Sequence, residues 1–247
     1  MTALTVCDIK KAYRSGGRTV TACDGVSFEV NGGEIFGLLG MNGAGKSTTI
    51  GICTGLIKPD GGTVSVFGHD ILTDTRAAKS LLNVSPQETA VASMLSVREN
   101  LTFIASVYGA GKQEAKERAE AMAARLGLSD RMNDRAGKLS GGLKRRLSLG
   151  MALITEPKLV FLDEPTLGLD VVARRGLWQL IRDVAGETAI VLTTHYLEEA
   201  EVLCGRIAVM TSGKIAAVGS AAELKEQSGK DKFEDAFLTL SEVEAGV

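Results

Sequence analysis

At 247 residues the chain is long enough for one α/β domain with an insertion, and long enough to bury a core without disulfides or structural metals. Its 45% hydrophobic and 23% charged residues are ordinary for a globular protein, and a net charge of −2 gives no electrostatic case for non-specific binding to nucleic acid or anionic lipid. Cys7, Cys23, Cys53 and Cys204 stand far apart with no C-x-x-C pair, which points to reduced thiols rather than a zinc site or disulfide framework. Charges within the first ten residues argue against a signal-peptide core, and no apolar run approaches the ~20 residues needed to cross a bilayer.

In chain order, the first 70 residues read mostly as strands: "ALTVCDIKKAY", "GVSFEV" and "GTVSVFG" are short, β-rich and separated by Gly or Asn-Gly turns. Among them the apolar run "EIFGLL" (Glu34–Leu39) feeds "GMNGAGKS", Gly40–Ser47, and a helix is predicted from about Lys46 to Ile57, ending before Pro59. Glycines at 40, 43 and 45 permit backbone angles and close approaches that side chains block, so the loop can aim N–H groups inward as an anion cradle. The helix start adds partial positive charge, Lys46 adds a full one, and the Ser47 hydroxyl suits a Mg²⁺ that bridges two phosphates. G-x-x-x-x-G-K-[ST] after a strand and before a helix is a nucleoside-triphosphate loop, with Met41, Asn42, Ala44 and Thr48 as its remaining members.

After "LLNVSPQ" the pattern becomes helical from Ser96 to Gly127. "LSGGLKRR", Leu139–Arg146, is a second glycine turn opening a helix: Ser140 is a good N-cap, Gly141 and Gly142 leave the helix end bare, and Lys144–Arg146 is read as a solvated face. Strands return in "KLVFLD" and "TAIVLTT", almost wholly apolar as strands buried on both faces should be. Asp163 ends the first of these and is placed to hold Mg²⁺, while Glu164 would stand beside the γ-phosphate and polarise a water. A hairpin, "RIAVMTSGKIAAVG", turns at Ser212-Gly213, and "KFEDAFLTLSEVEAGV" reads as a short helix and an acidic tail. The fold expected is α/β: a phosphate-loop core of mainly parallel sheet flanked by helices, with an antiparallel β part and a helical insert.

The order Gly40–Ser47, Gln87, Leu139–Gly142, Asp163–Glu164, Asp170, His195 resembles the nucleotide-binding domain of ATP-binding-cassette proteins over nearly the whole chain. The resemblance implies one such domain over 1–240, with core and β parts at 1–87 and 158–220, a helical part at 88–157, and a C-terminal helix and tail at 221–247. It implies ATP and Mg²⁺ as ligands, with Ser47, Gln87 and Asp163 toward the metal and Lys46 toward the phosphates. It also implies that Gln87 touches the attacking water and senses a membrane partner. Ser140, Gly141 and Gly142 would reach the γ-phosphate across a dimer, Asp170 would lie between the two sites, His195 would contact the γ-phosphate, and Tyr13 would stack on adenine. His69 matches nothing in that pattern and is read as structural. Leu143 departs from it, since glutamine is usual there, and position 143 is not expected to contact nucleotide.

"LSVRENLTFIASVYG" and "FEDAFLTL" resemble the branch whose ATPase and membrane subunits are separate chains, which includes drug, antibiotic and sodium exporters. The resemblance therefore implies an ATPase at the cytoplasmic face of a membrane, powering export through separate transmembrane subunits. It would pair head to tail with a second ATPase subunit, as two copies of this chain or with a related one, and take no nucleic acid. The alternative is a soluble cassette ATPase of the iron–sulfur-scaffold kind. A kinase or GTPase would require neither the second glycine turn nor His195.

Overall fold

The computed structural model describes residues 1–15 and 17–243. Its first elements are β1 (Thr2–Ser15), β2 (Arg18–Asn31), β3 (Ile35–Leu39), α1 (Lys46–Cys53), β4 (Gly61–Val66), β5 (His69–Asp70), α2 (Thr75–Ser80) and β6 (Leu82–Ser85). Three helices follow, α3 (Val97–Val107), α4 (Lys112–Arg125) and α5 (Gly141–Leu153). The chain continues through β7 (Leu159–Asp163), α6 (Val171–Val184), β8 (Ala189–Thr194), α7 (Leu197–Leu203), β9 (Arg206–Thr211), β10 (Lys214–Gly219), α8 (Ala221–Ser228) and α9 (Phe233–Val243).

Two sheets carry the fold. A four-stranded antiparallel sheet runs β2-β1-β4-β5, and a six-stranded sheet runs β10-β9-β3-β8-β7-β6, parallel except for the β9–β10 edge hairpin. The α/β expectation of a mainly parallel core with an antiparallel part is therefore met. Alternation along the central strands sorts their side chains onto two faces. Leu39, Val160, Leu162, Ile190, Leu192 and Val209 join a cluster with α3–α7. Phe36, Leu38, Phe161, Val191 and Met210 join another, with α1 and the antiparallel sheet. Strands buried on both sides cannot show polar alternation, which is why these segments read as continuous apolar runs.

The register of this sheet builds one functional edge. Leu39 lies opposite Thr194 of β8, and Asp163 of β7 opposite Thr193. Ser85, near the end of β6, lies opposite Leu162. Hence the loop at Gly40, Asp163–Glu164, His195 and Gln87 all leave the sheet at its carboxyl edge, where open α/β sheets bind ligands.

Two sequence expectations need correction. The helix predicted to reach Ile57 ends at Cys53: Gly55 turns left-handed (φ 66), and the N–H groups of Leu56 and Ile57 both return to the Gly51 carbonyl at 2.8 Å. The basic run Lys144–Arg146 is no solvated face. Arg145 is buried and Arg146 donates to the Leu126 carbonyl at 3.3 Å, because the helical period turns 145 inward with Ser148, Leu149 and Ala152. The acidic tail expected at the end falls partly at 244–247, outside the described residues.

Candidate functional site: a phosphate cradle at the sheet edge

A cavity of about 220 Å³ opens at this edge, lined by Val20, Thr21, Ala22, Asn42, Gly43, Gly45, Lys46, Ser47, Thr48, Gln87 and Glu164. Its floor is the loop between β3 and α1. Gly40 and Gly45 are required there by space: a Cβ at 40 would collide with the Met210 carbonyl, and one at 45 with the Ala22 carbonyl. Gly45 is also left-handed (φ 106) and caps α1 with no side-chain hydrogen bond, so the helix start faces the cavity unblocked. Lys46, only 6% exposed, curls back so that Nζ donates to the carbonyls of Gly40 (2.7 Å) and Met41 (3.2 Å). The cation is thus held in place by its own loop. Met41, Asn42 and Gly43 form the exposed crest, and Ala44 is buried beneath it.

The opposite wall is acidic. Asp163 Oδ1 accepts from Thr193 Oγ1 at 2.5 Å and from Ser47 Oγ at 3.5 Å, which brings a carboxylate and a hydroxyl from distant parts of the chain to one point. Glu164 is buried at 6% exposure, with Oε1 3.5 Å from Lys46 Nζ. Its Oε2 stands 2.5 Å from His195 Nδ1 in close contact but outside hydrogen-bond alignment, and both atoms are buried.

The Glu164 backbone is itself strained, at φ 47, a region that costs a non-glycine residue on the order of 1–3 kcal/mol. Hydrogen bonds over-determine it. Its N–H donates to Thr193 Oγ1 (3.0 Å) and the Thr193 carbonyl (3.2 Å), while its own carbonyl accepts from Arg145 Nη2 at 2.6 Å. Burial pushes the Arg145 guanidinium below the usual arginine range, and the nearby carboxylates of Asp163, Glu199 and Glu164 oppose that shift. Burial likewise pushes Glu199 above the usual carboxyl range, where its Oε1 accepts from Trp178 Nε1 at 2.9 Å.

Of the residues singled out in the sequence, the phosphate loop, Asp163, Glu164, Gln87 and His195 converge here. Five others lie away from the cavity. Ser140 caps α5, accepting from Leu143 N–H at 3.4 Å, and Ser140 and Gly141 are exposed, with half-buried Gly142 next to α6. Asp170 caps α6, accepting from Ala173 N–H at 2.8 Å. Tyr13 is 40% exposed on the β1–β2 hairpin, opposite the cavity-lining Val20. Sequence reasoning missed Thr193, readable as a hydroxyl pair closing an otherwise apolar strand, and Arg145, readable as a cation on the inward stripe of α5. It also missed Val20–Ala22, for which no local signal exists.

Fold and cradle together define a phosphate-loop protein of the nucleoside-triphosphate-binding class. The chain belongs to the ABC transporter family, whose profile matches residues 23–167. It is 41% identical over 226 residues to the linearmycin resistance ATP-binding protein LnrL of Bacillus subtilis, covering 91% of this chain and 71% of that protein. It is 38% identical over 247 residues to the daunorubicin resistance ATP-binding protein DrrA3 of Streptomyces coeruleorubidus, covering 100% of this chain and 77% of that protein. Among solved structures, an ATP-binding subunit of an ABC transporter superposes with a TM-score of 0.84 at 28% identity, over 96% of this chain and 99% of that one. A dimeric ATP-binding cassette in a post-hydrolysis state, bound to ADP and Pi, shares the fold at a TM-score of 0.79 and 23% identity, over 88% of this chain and 98% of that one.

Proposed function

We propose that this chain is the ATP-hydrolysing subunit of an exporter whose membrane-spanning parts lie in separate subunits, and that it works at the cytoplasmic face of the membrane. The observation that carries the hydrolytic part is Glu164, a buried carboxylate on a strained backbone that lines the cradle between Lys46 and His195. Its likeness to two antibiotic-resistance ATP-binding proteins supports export over the soluble remodelling alternative. Among the described residues no helix is long and apolar enough to cross a membrane, so on this reading the pathway belongs to a partner.

In the proposed mechanism the phosphates of ATP lie on the N–H groups of Gly40–Thr48, with Lys46 against the outer phosphates and Tyr13 against adenine. Ser47, Asp163 and Gln87 offer the hard oxygen ligands that Mg²⁺ prefers, and Ser47 and Asp163 already meet at 3.5 Å. The ion would supply charge neutralisation for the phosphate oxygens. Glu164 takes the proton of the attacking water, which Gln87 helps to place, and His195 contacts the γ-phosphate. The products are ADP and phosphate.

Ser140–Gly142 and Asp170 complete the site of a second, head-to-tail ATPase subunit, here taken as another copy of the chain. Closed and open pairs differ in their contacts to the γ-phosphate, and that difference is what hydrolysis releases. We read 1–240 as one nucleotide-binding domain, with 1–87 and 158–220 as its core, 88–157 as its helical part, and 221–247 as helix and tail. Gentle detergent co-purification from the source membranes tests the exporter reading. A stoichiometric polytopic membrane protein is expected, and recovery with soluble partners alone would replace it with the remodelling ATPase.

A further inference from the structure

One buried side chain joins three parts of the site and has no role in the mechanism above. Arg145, 4% exposed on the first turns of α5, forks between two backbone carbonyls: Nη1 donates to Pro86 at 2.8 Å and Nη2 to Glu164 at 2.6 Å. Pro86 immediately precedes Gln87, and α5 is the helix that begins at Ser140–Gly142. One guanidinium therefore links the helix of the second glycine turn, the chain leading to Gln87, and the left-handed peptide at Glu164.

We infer that Arg145 is a positioning residue that sets the Glu164 carboxylate through the backbone, and ties its placement to the position of the Gln87 segment. This inference rests on the assignment of Glu164 as the base. The physical argument is one of constraint. A non-glycine residue at φ 47 stays there only while its neighbours hold it, and the Glu164 N–H is already fixed by Thr193. The Pro165 ring fixes the peptide on its far side, so the Glu164 carbonyl that Arg145 grips is the second anchor of the left-handed backbone. Releasing that carbonyl lets the backbone at Glu164 relax out of its strained angle, which redirects the Cα–Cβ bond and carries the carboxylate away from the water it must face. A misplacement of about 1 Å at a reacting group can cost about 100-fold in rate. The same guanidinium makes the constraint two-ended, because a shift of the Pro86–Gln87 segment pulls on the prong opposite Glu164.

Lysine does not reproduce this contact: it keeps the charge but has a compact ammonium in place of the planar fork whose two Nη atoms each meet a different carbonyl. The test is a double-mutant cycle on ATP turnover by the whole chain: wild type, Arg145→Lys, Glu164→Gln and both together. ATP affinity and melting temperature are measured on each. Arg145→Lys is expected to lower kcat by about 10- to 100-fold with the KM for ATP within about twofold, and to add no more than about twofold on top of Glu164→Gln.

Turnover by Arg145→Lys within about twofold of wild type would overturn the inference. So would a parallel loss of ATP affinity, or a full additional loss in the double mutant. Wild-type turnover by Glu164→Gln would remove the assignment on which the clamp rests. A slow Glu164→Gln beside an unchanged Arg145→Lys would remove the clamp alone. Should Arg145→Lys not fold, Arg145→Gln runs the same cycle under the same limits.

Discussion

The turns at Gly40–Ser47 and Leu139–Gly142 are both glycine-rich, and both open a helix with its backbone donors forward. The chain treats them very differently. Around the first it builds walls: the β1–β2 hairpin on one side, Asp163 and Glu164 on the other, and a lysine fixed by the loop's own carbonyls. Around the second it builds nothing, so that Ser140 caps its own helix and a Cβ on Gly141 would meet open space. The walled turn can hold phosphates by itself. The second is a bare helix start at the surface, and on the proposed reading it completes the site of another chain.

The largest expected effect falls on the walled turn. Glu164→Gln should lower ATP turnover by about 10²–10⁴-fold while leaving ATP binding intact, because it removes the proton acceptor and keeps the cradle. Turnover at the wild-type rate would remove Glu164 from its role and leave the first turn as a binding loop only. A much smaller effect is expected at the open turn, from Leu143→Gln. Leu143 is half-buried against the core around α5, so the polar replacement should lower the melting temperature by about 2–4 °C, the equivalent of about 1 kcal/mol in a chain of this size. Turnover should stay within about threefold of wild type. A tenfold rise would mean that position 143 itself reaches nucleotide, and the contrast between the turns would need redrawing.

The same contrast marks how far the sequence could be read. Gly40–Ser47 is legible because its chemistry is local: strand, glycines, lysine and hydroxyl follow one another, and the structure sets them in that order around the cavity. The central strands are legible because burial on both faces leaves only apolar residues. Helix α6 has an inward stripe in Leu177, Trp178, Ile181 and Val184, although the sequence reading assigns no helix there. Thr193 and Arg145 carry local signals, but the groups they hold cannot be assigned from spacing. Their partners are fixed by sheet register and by the packing of α5, and each contact spans 19 residues or more. The Lys144–Arg146 run looks like a surface because its three cations are consecutive, whereas a helix turns each one to a different side and buries Arg145.

The central claim is that the open turn completes the walled one across two chains. It is tested most directly by sedimentation of Glu164→Gln, with and without the additional change Ser140→Arg, in saturating ATP and Mg²⁺. Ser140 lies outside the cavity of its own chain, so both variants should still load ATP, and the variant that dimerises should hold it more tightly. Glu164→Gln should sediment as a dimer that retains nucleotide, and the double variant as an ATP-bound monomer. A dimer of equal stability in both, or a monomer in both, would contradict the account.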